Sequence, residues 1–191
     1  MDTRTRLLES TQDLLWDRGY VGTSPRAIQE RAGAGQGSMY HHFSGKHDLA
    51  VAAMRLTTEQ VRERAEQLLG AEGTAYARVE AYLRFERDAL RGCRVGRMTQ
   101  DPEVVADDEL RAPVADAIAW QRGRIAQVLA EGVARGELSP ALSPERTAAT
   151  LVAVVQGAYV EARAAGSREP YDAAIEGALD LLRACVLTER D

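Results

Sequence analysis

Apolar residues recur along most of this chain at the three- and four-residue spacing of a helix, and nowhere in the strict alternation of a strand. From Arg4 to Arg18 the stripe is Leu7, Leu8, Thr11, Leu14 and Leu15, stopped by Asp17-Arg18-Gly19. Two short helix patterns follow between Ser24 and His42, joined at Ala32-Gly33. A fourth helix is predicted from about Lys46 to Leu69, on the order of 35 Å long at 1.5 Å per residue, with Leu49, Ala53, Leu56, Val61, Ala65 and Leu68 on its apolar face. After the Gly70-Ala-Glu-Gly73 break a helix is expected from about Thr74 to Arg91, burying Val79, Tyr82, Leu83 and Leu90. Asp101-Pro102 reads as the cap and first residue of a short helix. Val114, Ile118, Gln121, Ile125, Val128 and Gly132 then form one stripe on a long helix from about Glu109 to Arg135. Two last helices are predicted, about Pro144 to Ala165 and Pro170 to Leu187. The pattern predicts an all-α protein: a three-helix head over residues 1–48, joined by a long helix to a helical domain within 49–191.

The last two helices carry apolar residues on more than one side. That excess suits a four-helix contact between two copies of the chain, in preference to the alternative of an internal core helix pair. Leu151, Val155 and Ala158 on the first, and Ile175, Leu179 and Leu182 on the second, are the residues expected at this interface. The small residues Ala149, Ala153, Gly157 and Ala158 allow close approach.

The densest chemistry lies between residues 23 and 46. Ser24 can cap the first short helix with its hydroxyl, and Pro25 takes the position where a missing N–H costs nothing. Ile28 and Ala32 face inward, and Gly33 supplies the conformation that a tight helix–helix turn needs. The second short helix, from about Gln36 to His42, is polar on most faces and rich in groups that bond phosphates or base edges. This is the layout of a helix-turn-helix. Ser38 and Gln36 suit base edges, and Gln favours adenine. Thr23, Ser24, Tyr40, His41 or His42, and Lys46 suit phosphates, while Arg26 can clamp a phosphate or read an edge. Gly37, which costs about 1 kcal/mol of helix propensity relative to alanine, makes sense where the backbone must press against DNA. Phe43 reads as core.

The same stretch resembles the DNA-binding motif of the TetR family of transcriptional regulators. Thr23, Ile28, Ala32-Gly33, Gly37, Tyr40, His42-Phe43, Lys46 and Leu49 stand in register with that motif. Gln29 replaces a common Ala, and Ala34-Gly35-Gln36 stands where a Val-Ser-Lys run is usual, which removes one cation from the phosphate-facing side. The resemblance implies a homodimeric repressor that binds a near-palindromic operator and is released by a small-molecule effector. It also implies that the later helices enclose the effector. Tyr82, Phe85, Met98, Trp120 and Tyr159 are the candidates to line that cavity, with Cys93 near a helix break. Gly92-Cys-Arg-Val-Gly96 resembles a Gly-Cys-Pro-x-Gly turn of the LmrA/YxaF-like branch of the family.

Charge qualifies the picture. The chain carries a formal −5, but residues 1–48 hold six basic and six acidic side chains, so the acid excess lies beyond them. A neutral head steers weakly at long range, and DNA affinity then rests on a few placed contacts. It also keeps open an alternative, a helical ligand-binding or protein-interaction module without DNA binding. No nucleophile–base spacing, phosphate loop or metal-ligand spacing points to an enzyme, a cofactor or a metal: His41, His42 and His47 do not share a helix face, and Asp107-Asp108-Glu109 reads as an acidic helix start. Cys93 and Cys185 read as reduced, small hydrophobic side chains. No apolar run spans a bilayer and no secretory signal opens the sequence, so the expected site of action is the cytoplasm.

Overall fold

The structure is a computed structural model and describes residues 2–187. Its described helices are α1 (Thr3–Arg18), α2 (Pro25–Ala32), α3 (Gln36–His42), α4 (Lys46–Leu69), α5 (Ala75–Arg84), α6 (Pro102–Ala106), α7 (Asp108–Ala134), α8 (Pro144–Ala165) and α9 (Glu169–Arg183), with a 3-10 turn at Gly96–Gln100. Among the described residues the only extended pairing is a single antiparallel bridge between Leu138 and Val186. No helix among them is long and apolar enough to cross a membrane.

The chain forms two compact units. The first comprises Met1–Val61 and Arg94–Ile118, the second Arg62–Cys93 and Ala119–Asp191. These units are drawn by packing and cut the chain elsewhere than the expected functional division after residue 48.

In the first unit, Leu7, Leu8, Leu14, Leu15, Ile28, Met39, Phe43, Leu49 and Ala53 are buried and hold α1 to α4 together. Polar ties fix the angles. Gln12 donates its amide to Thr57 Oγ1 at 2.9 Å and to Gln60 Oε1 at 3.1 Å, joining α1 to α4. Arg31 reaches Asp13 at 2.9 Å, joining α2 to α1. Asp101 is 7 % exposed and does two things. One oxygen caps α6 through the N–H groups of Glu103 and Val104, and the other accepts the Val21 N–H at 2.9 Å. Arg97 adds a bond to the Asp17 carbonyl at 2.8 Å.

In the second unit, α8 and α9 pack along each other, and α9 also meets α5. The buried Arg78 donates to the Leu69 carbonyl and pairs with Glu131, both at 2.7 Å, while Arg124 pairs with Glu66 at 2.8 Å. These bonds hold the Glu131 and Glu66 carboxyls below the ordinary glutamate range, through hydrogen bonds from Arg78 and Arg124 respectively.

Two predicted helix ends are corrected. The fifth helix stops at Arg84, not near Arg91: Phe85 leaves helical geometry, and the Arg87 guanidinium takes the carbonyls of Tyr82, Leu83 and Phe85, which the ended helix leaves open. The last helix stops at Arg183, because the chain beyond it turns to pair with residues 137–139: Ser139 N–H donates to the Cys185 carbonyl at 2.8 Å, and Leu187 N–H to the Glu137 carbonyl at 2.9 Å.

Candidate nucleic-acid interface and effector cluster

The turn that launches the reading motif is built from within. The Thr23 hydroxyl donates to the Gly19 carbonyl at 2.7 Å and the residue is 1 % exposed. Its hydroxyl is therefore spent inside the turn, and Thr23 positions α2 where a phosphate clamp was expected. Ser24 accepts the Ala27 N–H at 3.1 Å as the N-cap of α2, with Pro25 behind it. Gly33 ends that helix in the left-handed conformation, φ 58° and ψ 38°, which costs glycine nothing. Gly35 is the N-cap of α3 and, as its composition dictates, offers no side-chain bond.

Helix α3 is fastened to the protein by one face only. Met39 is fully buried, with its sulfur 3.4 Å from the Gln29 amide, and Phe43 just past the helix is buried too. The other six residues, Gln36, Gly37, Ser38, Tyr40, His41 and His42, are all exposed. Tyr40 leaves half of its surface uncovered. A side chain added at Gly37 would meet nothing within 4 Å, so no intramolecular neighbour requires this glycine inside a helix.

The cations beside α3 are few. The Lys46 ammonium opens α4 and lies 3.8 Å over the ring of Tyr20. Arg26 is exposed and paired with Glu30 at 2.8 Å, an i,i+4 contact of small energy. Arg4, which no sequence signal singled out, lies 5.6 Å over Phe43. His47 faces away from this group and meets Asp107 at 3.1 Å and Glu109 at 3.8 Å. Asp107 is held below the ordinary carboxylate range, first by the backbone N–H of Leu110 and further by His47.

Of the expected effector residues, the second unit brings together Tyr82, Phe85, Cys93 and Tyr159. Tyr82 and Tyr159 are buried; Phe85 and Cys93 are half-buried. The Arg87 guanidinium lies 5.0 Å from the Tyr82 ring and 5.3 Å from the Phe85 ring. Tyr82 accepts a hydrogen bond from the Gln121 amide. The Gln156 amide reaches the Cys93 sulfur at 3.5 Å. Two residues missed by sequence reasoning belong here: Arg87, and Tyr171, whose ring centre is 5.0 Å from that of Tyr159. Trp120 does not share these contacts and lies under Arg62, 4.9 Å away. Met98 belongs to the first unit, where it lines a small crevice with Leu15, Trp16, Met54 and Val95.

The residues expected at a dimer interface have the following places in the single chain. Leu151, Val155, Ala158, Ile175, Leu179 and Leu182 are all buried within the chain, because α8 and α9 use them against each other. What the same helices leave exposed is a line of small and apolar residues: Ala149, Ala153, Gly157 and Val160 on α8, Gly177 and Leu181 on α9. Leu181 is 73 % exposed. A groove of about 250 Å³ runs beside them, lined by Thr150, Leu151, Val154 and Leu182 among others.

Comparison with known proteins gives two family matches. Residues 7–53 match the model for bacterial regulatory proteins of the tetR family, and residues 74–178 that for the tetracyclin repressor-like C-terminal domain. The transcriptional regulator AcuR of Cereibacter sphaeroides is 28% identical, over 82% of this chain and 74% of its own length. The transcriptional repressor NemR of Escherichia coli K12 is 25% identical, over 91% of this chain and 90% of its own. Among solved structures, the regulator CifR, as a cysteine mutant with a 26-base-pair operator duplex, superposes with a TM-score of 0.79 at 26% identity, over 94% of this chain and 96% of that one.

Proposed function

Because the chain belongs to the TetR family of transcriptional regulators, we propose that it is a homodimeric, cytoplasmic repressor that binds a near-palindromic operator and is released by a small molecule. The observation that carries the DNA-binding part is α3: six of its seven residues are exposed, and the glycine within it has no neighbour of its own to accommodate. A helix that gives up about 1 kcal/mol of propensity at Gly37 with no packing return does so for a surface outside the chain. Gln36 and Ser38 are the base readers. Ser24, Tyr40, His41, His42, Lys46 and Arg26 contact phosphates, and Thr23 sets the angle at which α2 presents them.

A dimer places two copies of α3 in successive major grooves, roughly 34–36 Å apart. The exposed small-residue line on α8 and α9 is the surface that joins the copies, since a second such pair buries Val160 and Leu181 and lets the helices approach at Ala153, Gly157 and Gly177. Effector and operator then compete by reciprocal coupling, a ligand that favours the DNA-incompetent state weakening DNA binding by the factor that DNA weakens the ligand, typically 1–3 kcal/mol.

Selection of bound duplexes from a randomised pool tests the reading. The expected result is a palindrome whose affinity falls with salt and is lost in Tyr40→Ala. A folded, dimeric protein that enriches no sequence at low salt would overturn it and leave the ligand-binding module without DNA binding as the reading.

A further inference from the structure

The second unit holds a half-buried cation that no acid neutralises among the described residues. The Arg87 guanidinium folds back on the end of α5, Nη1 donating to the carbonyls of Leu83 at 3.0 Å and Phe85 at 2.9 Å, and Nη2 to that of Tyr82 at 2.8 Å. Carbonyls orient the group without cancelling its charge, and among the described residues it has no ion pair. Its surroundings are phenols: burial works against its charge, and Tyr82, Tyr171 and Tyr159 oppose that effect, Tyr82 also through a hydrogen bond. Burial pushes the Tyr82 and Tyr159 phenols upward in turn, so at neutral pH they are uncharged donors and not counter-ions.

A count of donors and acceptors points the same way. Beyond those three carbonyls the Arg87 guanidinium also bonds the Tyr82 phenol, which leaves one of its five N–H groups without a protein acceptor. Tyr82 accepts from Gln121, which leaves its own O–H to donate. The Tyr171 hydroxyl lies on a residue 1 % exposed and has no partner; the Tyr159 phenol approaches it without reaching bonding geometry. The carbonyls at the end of α5 are already taken. Buried polar groups are normally satisfied, and the group that satisfies surplus donors around an unpaired positive charge is an anion. One guanidinium balances a singly charged carboxylate and under-neutralises a doubly charged phosphoryl group.

We propose that Arg87, Tyr82 and Tyr171 form a binding site for a small carboxylate. The carboxylate accepts from the guanidinium and from the two phenols, while Gln121 holds the Tyr82 oxygen in place. The inference rests on the effector part of the function proposed above and names the chemical class of that effector.

The test is titration calorimetry on the full chain without DNA, using acetate, butyrate and benzoate, each beside its uncharged amide. At least one carboxylate is expected to bind while its amide does not. Tyr171→Phe removes an oxygen that no protein group bonds, so the fold is retained, and binding is expected to weaken by about tenfold, the loss of one hydrogen bond to a charged group. Arg87→Met is expected to abolish binding, with its melting curve recorded because Arg87 also closes α5. Absence of heat with all three carboxylates, equal binding of acid and amide, or unchanged affinity in Tyr171→Phe would each overturn the site. Operator release by the binding carboxylate is read separately by fluorescence anisotropy. Binding without release keeps the site and removes the effector role, whereas sequence-specific DNA binding in a protein that takes no carboxylate keeps the regulator and removes the site.

Discussion

Asp101→Ala should weaken the protein at a residue that is not itself a proposed DNA contact. The substitution removes the N-cap of α6, worth about 1 kcal/mol, and strips the Val21 N–H of its acceptor. A donor left buried costs about 1–3 kcal/mol, but Val21 is 55 % exposed, so water reaches that amide and the lower end applies. The two losses come to about 2 kcal/mol. At roughly 2–4 °C per kcal/mol for a chain of this size, the melting temperature should fall by about 4–8 °C. Asp101→Asn keeps an acceptor oxygen and should lose less than half as much. Melting by circular dichroism and operator affinity by anisotropy are the assays. Operator affinity should fall as well, because the Val21 bond anchors the turn that sets Thr23, Ser24 and the start of α2. A melting temperature for Asp101→Ala within 1 °C of the parent, or an Asp101→Asn as unstable as Asp101→Ala, would refute the reasoning.

Three further outcomes are expected. Gly123→Ala and Gly132→Ala change helix propensity equally within α7, but a Cβ at Gly123 meets nothing while one at Gly132 lies 2.4 Å from Ala75 Cβ and 2.9 Å from Leu138 Cδ1; the first should gain about 1 kcal/mol and the second should lie about 1–3 kcal/mol below it, and urea midpoints that coincide would refute the packing argument. Glu66, Glu131 and Glu137 are held low by bonds from Arg124, from Arg78 and from the Ala75 N–H respectively; a depressed carboxyl stabilises the fold fully above its ordinary value of 4.5 and loses that contribution as pH falls through the lowered one, so the urea midpoint should drop below about pH 4.5, with a shallower drop in Glu131→Gln. Gly157→Glu adds a side chain in open space on α8, so the protomer should stay folded while sedimentation velocity shifts from dimer to monomer; a variant that stays dimeric would place the interface elsewhere.

Helix number and most boundaries were legible because apolar residues recur at helical spacing and several helices open on a capping residue: Ser24, Asp101 and Ser143 each cap a helix with a proline directly behind. The end of α5 was not legible. Its apolar spacing runs on toward Leu90, and what stops it is a side chain, Arg87, folding back from beyond the helix onto its carbonyls. The site divides in the same way. Local pattern located Gln36, Ser38 and Tyr40 on an exposed helix, but it could not see that Thr23 spends its hydroxyl on Gly19, because that bond depends on the turn's path. Burial within one chain and burial between two leave the same apolar signature, so pattern alone does not separate them for Leu151 and Leu179, which are buried within the single chain. Arg87 and Tyr171 carried no signal, since an arginine and a tyrosine in helical sequence are ordinary until the fold sets the one beside phenols with no acid and leaves the hydroxyl of the other without a partner.

The attachment of α3 through Met39 and Phe43 has an evolutionary consequence. The residues that anchor the helix and those that face outward are disjoint sets, so Gln36, Ser38 and Tyr40 can be exchanged with little effect on folding stability. A protein arranged this way can acquire a new operator by drift at a handful of surface positions, and a combinatorial library at those three positions should return mostly folded members with altered sequence preference.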